Sequence, residues 1–271
     1  MVKRLLTKTY LGIVLLFLYL PIFVMVIFSF NQSKSRGHWT GFTLDWYKEL
    51  FNNAQIMQAL KNTLLIALLS SIIAVIIGTL AAIGIHNMKK WRKTMVINLT
   101  YLPVLNPDIV TGVSLMILFV FIGTLINFKL GFMTMLLAHI TFNIPYVILS
   151  VLPKLKQMNK HLYEAALDLG STPFMALIKV ILPEIMPGIV SGFLLALTLS
   201  IDDFVISYFT TGSGVSNLSI YIYSVARTGV KPTINALSTL MFSAVLLLLI
   251  IINIRSSREE KRKHQMLKQY K

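Results

Sequence analysis

The 271-residue chain contains no cysteine, which excludes disulfides and thiolate metal sites. None of its 14 glycines is followed by lysine, so the chain lacks the Gly-Lys-Ser/Thr loop that holds nucleotide phosphates. A His-Glu-x-x-His metalloprotease pattern is also missing. These absences leave little support for an enzyme, and they predict that this chain itself binds neither ATP nor a metal cofactor.

Charged residues are scarce as well, at 13% of the chain against about a quarter in soluble domains. Hydrophobic residues make up 56%, and the mean hydropathy is +0.75. Runs of about 20 apolar residues are long enough to cross a bilayer as helices. The runs are continuous rather than alternating, which disfavours membrane strands. We therefore predict an all-α membrane protein, one domain over 1–271, with six transmembrane helices at Tyr10–Phe30, Asn62–Ile85, Val96–Ile126, Gly131–Leu152, Gly188–Thr210 and Ala236–Ile254.

The first and third of these runs differ from a simple transmembrane helix. The first has the basic start of a signal peptide, but its apolar stretch is too long and no small-residue cleavage site follows Phe30. We interpret it as an uncleaved anchor. The third is too long for one simple span, and Pro103 and Pro107 predict a break or an interfacial start.

The net charge of +15 is distributed unevenly. With a cytoplasmic N-terminus, most of the 25 Lys and Arg fall on the inner side, in agreement with the positive-inside rule. Both termini are then cytoplasmic, and the basic tail 255–271 lies against anionic lipid headgroups. No basic segment alternates with aromatic residues as a nucleic-acid site would, so no nucleic-acid partner is expected.

An outer segment, GFTLDWYKELF (41–51), predicts a short interfacial helix with Trp46 and Tyr47 as aromatic anchors in the headgroup region.

The inner segment 153–187 is half polar and has the features of two helices. Lys160–Leu169 is rich in good helix formers, and Gly170 suits a turn. Thr172 and Pro173 follow as an N-cap and a first helical residue, and Phe174–Ile181 forms the second helix.

We expect Pro183 and Pro187 to stop or bend this second helix. The pair of helices then lies under the membrane. It is either a surface-lying connector or a docking element for another protein, and the residues alone leave both open.

Three carboxylates fall within predicted spans: Asp108, Asp202 and Asp203. Charges at this depth are costly, and no Lys or Arg in a neighbouring span neutralises them. A path for a cation is one role for all three. For Asp202 and Asp203 the alternative is structural: capping a broken helix or pairing with a partner subunit. Helical spacing adds further pathway candidates, with Thr111 one turn from Asp108, and with Ser207 and Tyr208 after the acidic pair.

His139 and Asn143 share a face of the fourth span, and His139 is expected to be a hydrogen-bonding residue of the bundle.

The segment Glu164-Ala165-Ala166, with Gly170 and then Leu182-Pro183, resembles the EAA loop of ABC importer permeases. The family pattern has isoleucine where this chain has Val180, a mild departure. The resemblance implies that the loop sits in a cleft of a cytoplasmic ATPase. The ATPase-coupling residues would be Tyr163, Glu164, Ala165, Ala166, Asp168, Gly170, Leu182 and Pro183.

Other segments resemble the spermidine/putrescine permeases of that family: NPDIVTGVSLMILF from Asn106, HITFNIPYV from His139, LSIDDFVISYFTTG from Leu199 and GVKPTINALST from Gly229. The resemblance implies a MetI-like fold with cytoplasmic coupling helices in a bacterial cell membrane. It also implies three kinds of partner: a second homologous permease, a dimer of ATPase subunits that hold ATP and Mg, and an extracytoplasmic polyamine-binding protein. Two alternatives stay open. One is an importer permease for another small cationic or organic solute. The other is a cation-coupled secondary carrier in which Asp202 or Asp203 takes the ion.

Overall fold

The computed structural model describes residues 2–33, 38–159, 161–228, 232–247 and 250. The basic tail 255–271 and the end of the predicted sixth span lie outside the described residues, as does Lys160.

Helices dominate the described chain, and the all-α prediction is confirmed. Among the described residues no β-strand forms, and one antiparallel bridge pairs Asn31 with Phe42. Helices satisfy their own backbone hydrogen bonds, which an apolar environment requires. They are α1 (Val2–Phe28), α2 (Asp45–Asn52), α3 (Ala54–His86), α4 (Lys90–Leu105), α5 (Asp108–Ile126), α6 (Phe132–Gln157), α7 (His161–Asp168), α8 (Pro173–Asp202), α9 (Val205–Thr210), α10 (Leu218–Thr228) and α11 (Pro232–Leu247).

Five helices are long and apolar enough to cross a membrane: α1, α3, α5, α6 and α8. The described part of the sixth predicted span is the shorter apolar helix α11. The multi-pass prediction is confirmed by these five, and the exact number of six spans stays a prediction.

The predicted third span is two helices. Asn106 and Pro107 both adopt extended backbone angles between α4 and α5. A proline disfavours the helical conformation of the residue before it. Helix α4 therefore ends at Leu105 with Asn106 as its C-cap, and α5 begins at Asp108. Pro103, by contrast, lies inside α4. The expected break is therefore present, and Pro107 causes it.

The predicted stop of the second loop helix is wrong, and the alternative of a bend at the two prolines stays a prediction. Pro183 and Pro187 do not stop it, because α8 continues from Pro173 to Asp202. A five-residue π-helical segment, Leu177–Ile181, lies directly before Leu182. Such a wider turn accommodates Pro183, which donates no hydrogen bond and would crowd the carbonyl of Lys179 in a regular α-helix.

The predicted fifth span also differs from the structure. It breaks where α8 ends at Asp202, and a separate short helix, α9, begins at Val205. Asp203 has extended backbone angles between them.

The chain divides into two compact units, one formed by residues 58–223 and the other by residues 1–57 and 224–271. Within the 58–223 unit, α6 packs against α8 over small residues. A Cβ on Gly188 would lie 3.0 Å from the Ser150 carbonyl oxygen, and one on Gly192 would lie 3.3 Å from Val147 Cα. Glycine at such contacts lets two helix backbones approach closely.

A buried polar cluster links three helices of this unit. The Asn143 amide on α6 donates to Ser200 Oγ on α8 at 2.7 Å, and the Ser200 and Ser70 hydroxyls are 3.1 Å apart. Ser70 lies on α3, and all three side chains are buried. Hydrogen bonds of this kind fix which faces of apolar helices meet.

In the other unit, α2 confirms the predicted short helix. The Trp46 indole donates to the Asn31 carbonyl at 2.7 Å, and the Tyr47 and Ser29 hydroxyls are 2.7 Å apart. The polar atoms of the two expected membrane anchors thus bond to the segment that follows α1.

Candidate functional site

The inner loop forms a compact helical pair, which we call the knob and define as α7, the turn 169–172 and Pro173–Ile181. Helix α7 ends in a left-handed turn, with Gly170 at φ +83°. The Gly170 amide donates to the Leu167 carbonyl at 2.9 Å, and the Ser171 amide donates to the Ala166 carbonyl at 3.1 Å. This pair of bonds is a Schellman C-cap, which fixes the direction of the exit chain.

The second helix of the knob begins as the sequence predicts. The Thr172 hydroxyl accepts from the Met175 amide at 3.3 Å, and Pro173 occupies the first turn. The C-cap of α7 and the N-cap at Thr172 are joined by a four-residue turn. They leave little freedom in the angle between the two helices, so the knob has a defined geometry.

Several large apolar side chains of the knob are exposed. Leu169 is 87% exposed and Phe174 is 70% exposed. Leu162, Met175 and Ile178 are exposed beside them. The sequence did not single out these residues as a surface. Large apolar residues in a half-polar loop are the feature that could have indicated one. Exposed large apolar side chains on a helical element are typical of a docking surface, and we call these five residues the patch.

The predicted coupling residues differ in how far they are buried. Ala166 is buried, and Tyr163 lines an inner cavity. Glu164 is exposed and pairs with His161 at 3.2 Å. Ala165, Asp168 and Pro183 are exposed, while Leu182 is half-buried.

The break between α8 and α9 is organised by Asp203. Its carboxylate accepts from the Ile206 amide at 3.1 Å, and from the amide and the hydroxyl of Ser207 at 2.7 and 2.8 Å. Asp203 therefore caps the first turn of α9, and this geometry matches the capping role that the sequence left open for the acidic pair.

Two further polar side chains meet at Ser207. The Asn217 amide nitrogen lies 2.8 Å from Ser207 Oγ, and His139 Nε2 lies 2.9 Å from it. Since the single hydroxyl proton of Ser207 goes to Asp203, the two nitrogens must donate. His139 Nε2 therefore carries a proton, and it lies 3.5 Å from the Asp203 carboxylate. His139 is a buried hydrogen-bonding residue, as expected.

Asn217 has no counterpart in the sequence analysis. It lies at the start of α10, ten residues from Ser207, and its side-chain oxygen accepts from the Ile220 amide at 2.9 Å. No periodic pattern connects the two positions.

The remaining pathway candidates have more exposed side chains. Asp202, at the end of α8, and Asp108, at the start of α5, are both exposed. Tyr208 is 51% exposed, and Thr111 is half-buried. Asp108 lies within electrostatic range of Tyr146 on α6.

Helices α5 and α9 are neighbours. A Cβ on Gly112, which shares a face of α5 with Asp108, would lie 3.1 Å from the Phe209 ring. The Tyr208 ring lies 5.4 Å from Phe204, which lies 4.5 Å from the Tyr223 ring. Aromatic rings and carboxylates are thus available on α5 and around α9. No cluster of three or more His, Cys, Asp or Glu that could hold a metal occurs in the part of the chain that the structure describes.

Proteins of known sequence share the part of the chain that contains the knob and the break between α8 and α9. A family model described as "Binding-protein-dependent transport system inner membrane component" matches residues 74–258, which include both features. The chain belongs to this family. It is therefore a multi-pass membrane protein of a transport system rather than a catalyst.

Two curated members are similar over most of their length. The spermidine/putrescine transport system permease protein PotC of Escherichia coli (strain K12) is 38% identical over 250 residues, covering 92% of this chain and 93% of the relative. The putrescine transport system permease protein PotI of the same strain is 40% identical over 233 residues, covering 84% and 83%.

Solved structures show the same fold. A bacterial ABC transporter that imports the polysaccharide alginate matches with a TM-score of 0.68 at 22% identity, covering 93% of this chain and 94% of that one. The MetNI methionine ABC transporter matches with a TM-score of 0.53 at 19% identity, covering 74% and 95%. The prediction of an ABC importer permease fold is confirmed.

The two neighbouring aspartates should differ in stability effects. We expect Asp203→Ala to destabilise the folded protein by about 1–2 kcal/mol, because it removes the cap of α9. Asp203→Asn, which keeps an acceptor oxygen, should cost less. Asp202→Ala is the matched control and should be close to neutral, since its side chain is exposed. The midpoint of thermal unfolding in detergent measures the effect; equal losses for the two alanine variants would contradict the capping role.

Proposed function

We propose that this chain is a permease subunit of an ATP-driven polyamine importer, forming half of the translocation pathway for spermidine or putrescine. The substrate class is supported by the two relatives, whose names state these polyamines. The observation that carries the coupling part of the proposal is the knob: a defined helical pair with exposed apolar side chains, most of all Leu169 and Phe174.

The knob is mechanically joined to the membrane. Helix α8 begins in the knob and ends at Asp202, beside the cap of α9. Thirty helical residues span about 45 Å, so a displacement at Phe174 would be carried along α8 to the break. ATP binding would close the ATPase dimer, move the knob and open the pathway outward; hydrolysis would reset it.

The partners follow from this division of labour. The chain has no Gly-Lys phosphate loop, so ATP and Mg would be held by two copies of a cytoplasmic ATPase, one on each permease. A second, homologous permease would complete the pathway, and an extracytoplasmic binding protein would deliver the polyamine. The positive-inside distribution supports cytoplasmic termini in a bacterial cell membrane.

The pathway itself would use the exposed acidic groups. A polyamine carries several ammonium groups on an apolar chain, which suits spaced carboxylates beside aromatic rings. Asp108 and Asp202, with Thr111 and Tyr208, are the proposed contacts. Asp203 and Ser207 would act mainly by holding α9 in place, since their side chains already bond to each other.

The docking role of the knob can be tested at Leu169. We expect Leu169→Glu to leave membrane insertion and unfolding temperature unchanged, since 87% of this side chain is exposed, and to lower recovery of the co-expressed ATPase about tenfold. The reason is that a carboxylate must be desolvated to enter an apolar groove. Ser213→Glu adds the same charge at an exposed site on the proposed outer side and is the control. Full ATPase recovery with Leu169→Glu would refute docking through this patch.

The pathway role of Asp108 has its own test. Removing one carboxylate–ammonium contact of about 1.5 kcal/mol should lower spermidine uptake roughly tenfold at limiting substrate in Asp108→Asn. Asp45→Asn is the matched control, because Asp45 is exposed and its partner is Lys48 on the same short helix. Recovery of the assembled complex is measured alongside uptake. If Asp108→Asn lowers both equally, Asp108 is structural.

A further inference from the structure

A cavity of about 470 Å³ opens behind the knob, within the 58–223 unit. Its wall is largely apolar, with Ile83 from the end of α3, Leu155 from the end of α6, and Leu177 and Ile181 from the knob. His86 and Asn87 contribute polar groups at the end of α3. The volume falls in the range of about 300–1,000 Å³ typical of small-molecule sites.

Positive charge is concentrated beside this cavity. The Lys93 ammonium donates to the carbonyl of His86, a lining residue, at 3.0 Å. Exposed basic residues flank the lining: Lys89, Lys90 and Arg92 after Asn87, and Lys154 and Lys156 on either side of Leu155. No Asp or Glu occurs between residues 50 and 107 or between 109 and 163. Three exposed acidic residues lie near the lining in sequence: Glu164, which is 3.2 Å from His161, Asp168 and Glu184. The six basic residues outnumber them.

The same turn carries a membrane-interface marker. Trp91 is 77% exposed, and it stands between Lys90 and Arg92. An exposed tryptophan among basic residues, at the end of a membrane-spanning helix, is typical of the lipid headgroup region. The turn that follows the lining residues His86 and Asn87 is therefore expected at headgroup depth.

We propose that this cavity forms a binding site for one anionic phospholipid together with the basic residues beside it. We call these residues the collar: Lys89, Lys90, Arg92, Lys93, Lys154 and Lys156. An acyl chain would occupy the apolar space, and the phosphate would lie against Lys93 and its basic neighbours. Basic pockets between membrane helices recognise anionic headgroups in this way. The basic residues beside the cavity disfavour a polyamine as the occupant, because they repel its ammonium groups. The bound lipid would sit between the knob and the ends of α3 and α6, where it would set the rest position of the knob.

The collar is tested by native mass spectrometry of the purified full-length chain. We expect phosphatidylglycerol to be retained at least fivefold more than phosphatidylcholine with the same acyl chains. Lys93→Gln should weaken phosphatidylglycerol retention about fivefold, the effect expected for one basic residue at a lipid surface. Lys61→Gln is the matched control, since Lys61 is exposed on α3 about 25 residues from the collar. Equal retention of the two lipids would overturn the proposal, and so would an equal effect of the two lysine changes.

The cavity is tested separately by filling it. Leu177→Trp, or Ile83→Trp if the first variant has a lowered unfolding temperature, should abolish phosphatidylglycerol retention although every charge remains. Unchanged retention in the well-folded variant would overturn the proposal. These measurements involve neither the ATPase nor a polyamine, so their failure leaves the proposed importer function intact, and failed transport leaves the lipid site intact.

Discussion

The need to satisfy every backbone polar group away from water governs the membrane part of this protein. A continuous helix meets that need by itself, but the break between α8 and α9 does not. Asp203 meets it there by accepting from the Ile206 and Ser207 amides. His139 Nε2 lies 3.5 Å from the same carboxylate, and the Asn217 amide bonds to Ser207. The most polar cluster near the predicted fifth span is thus first a device for interrupting a helix.

This interruption ends the long helix α8 at Asp202. One end belongs to the knob, where two caps and a glycine turn fix the geometry. The other end carries Asp202 and adjoins the capped start of α9. Between them, α6 holds α8 through close glycine contacts at Gly188 and Gly192. A force applied to the exposed residues around Phe174 would therefore be carried along one continuous helix to the acidic end.

Local chemistry was readable from the sequence, and contacts between distant segments were not. Gly170, Thr172 and Pro107 act through their own backbone preferences, so the turn, the cap and the break after α4 were predictable. The continuity of α8 through Pro183 depends on a π-helical segment, which the periodicity of apolar residues does not predict. The contact of Asn217 with Ser207, and those of Trp46 and Tyr47 with the segment after α1, depend on tertiary packing.

The central claim is that an external ATPase drives transport through the knob. The most direct measurement is spermidine accumulation in proteoliposomes that contain both permeases, the ATPase and the binding protein, with the proton gradient collapsed. We predict accumulation above the external concentration when ATP is supplied on the ATPase side, and none without it. Accumulation that ignores ATP and follows an imposed ion gradient would contradict the claim and identify a secondary carrier.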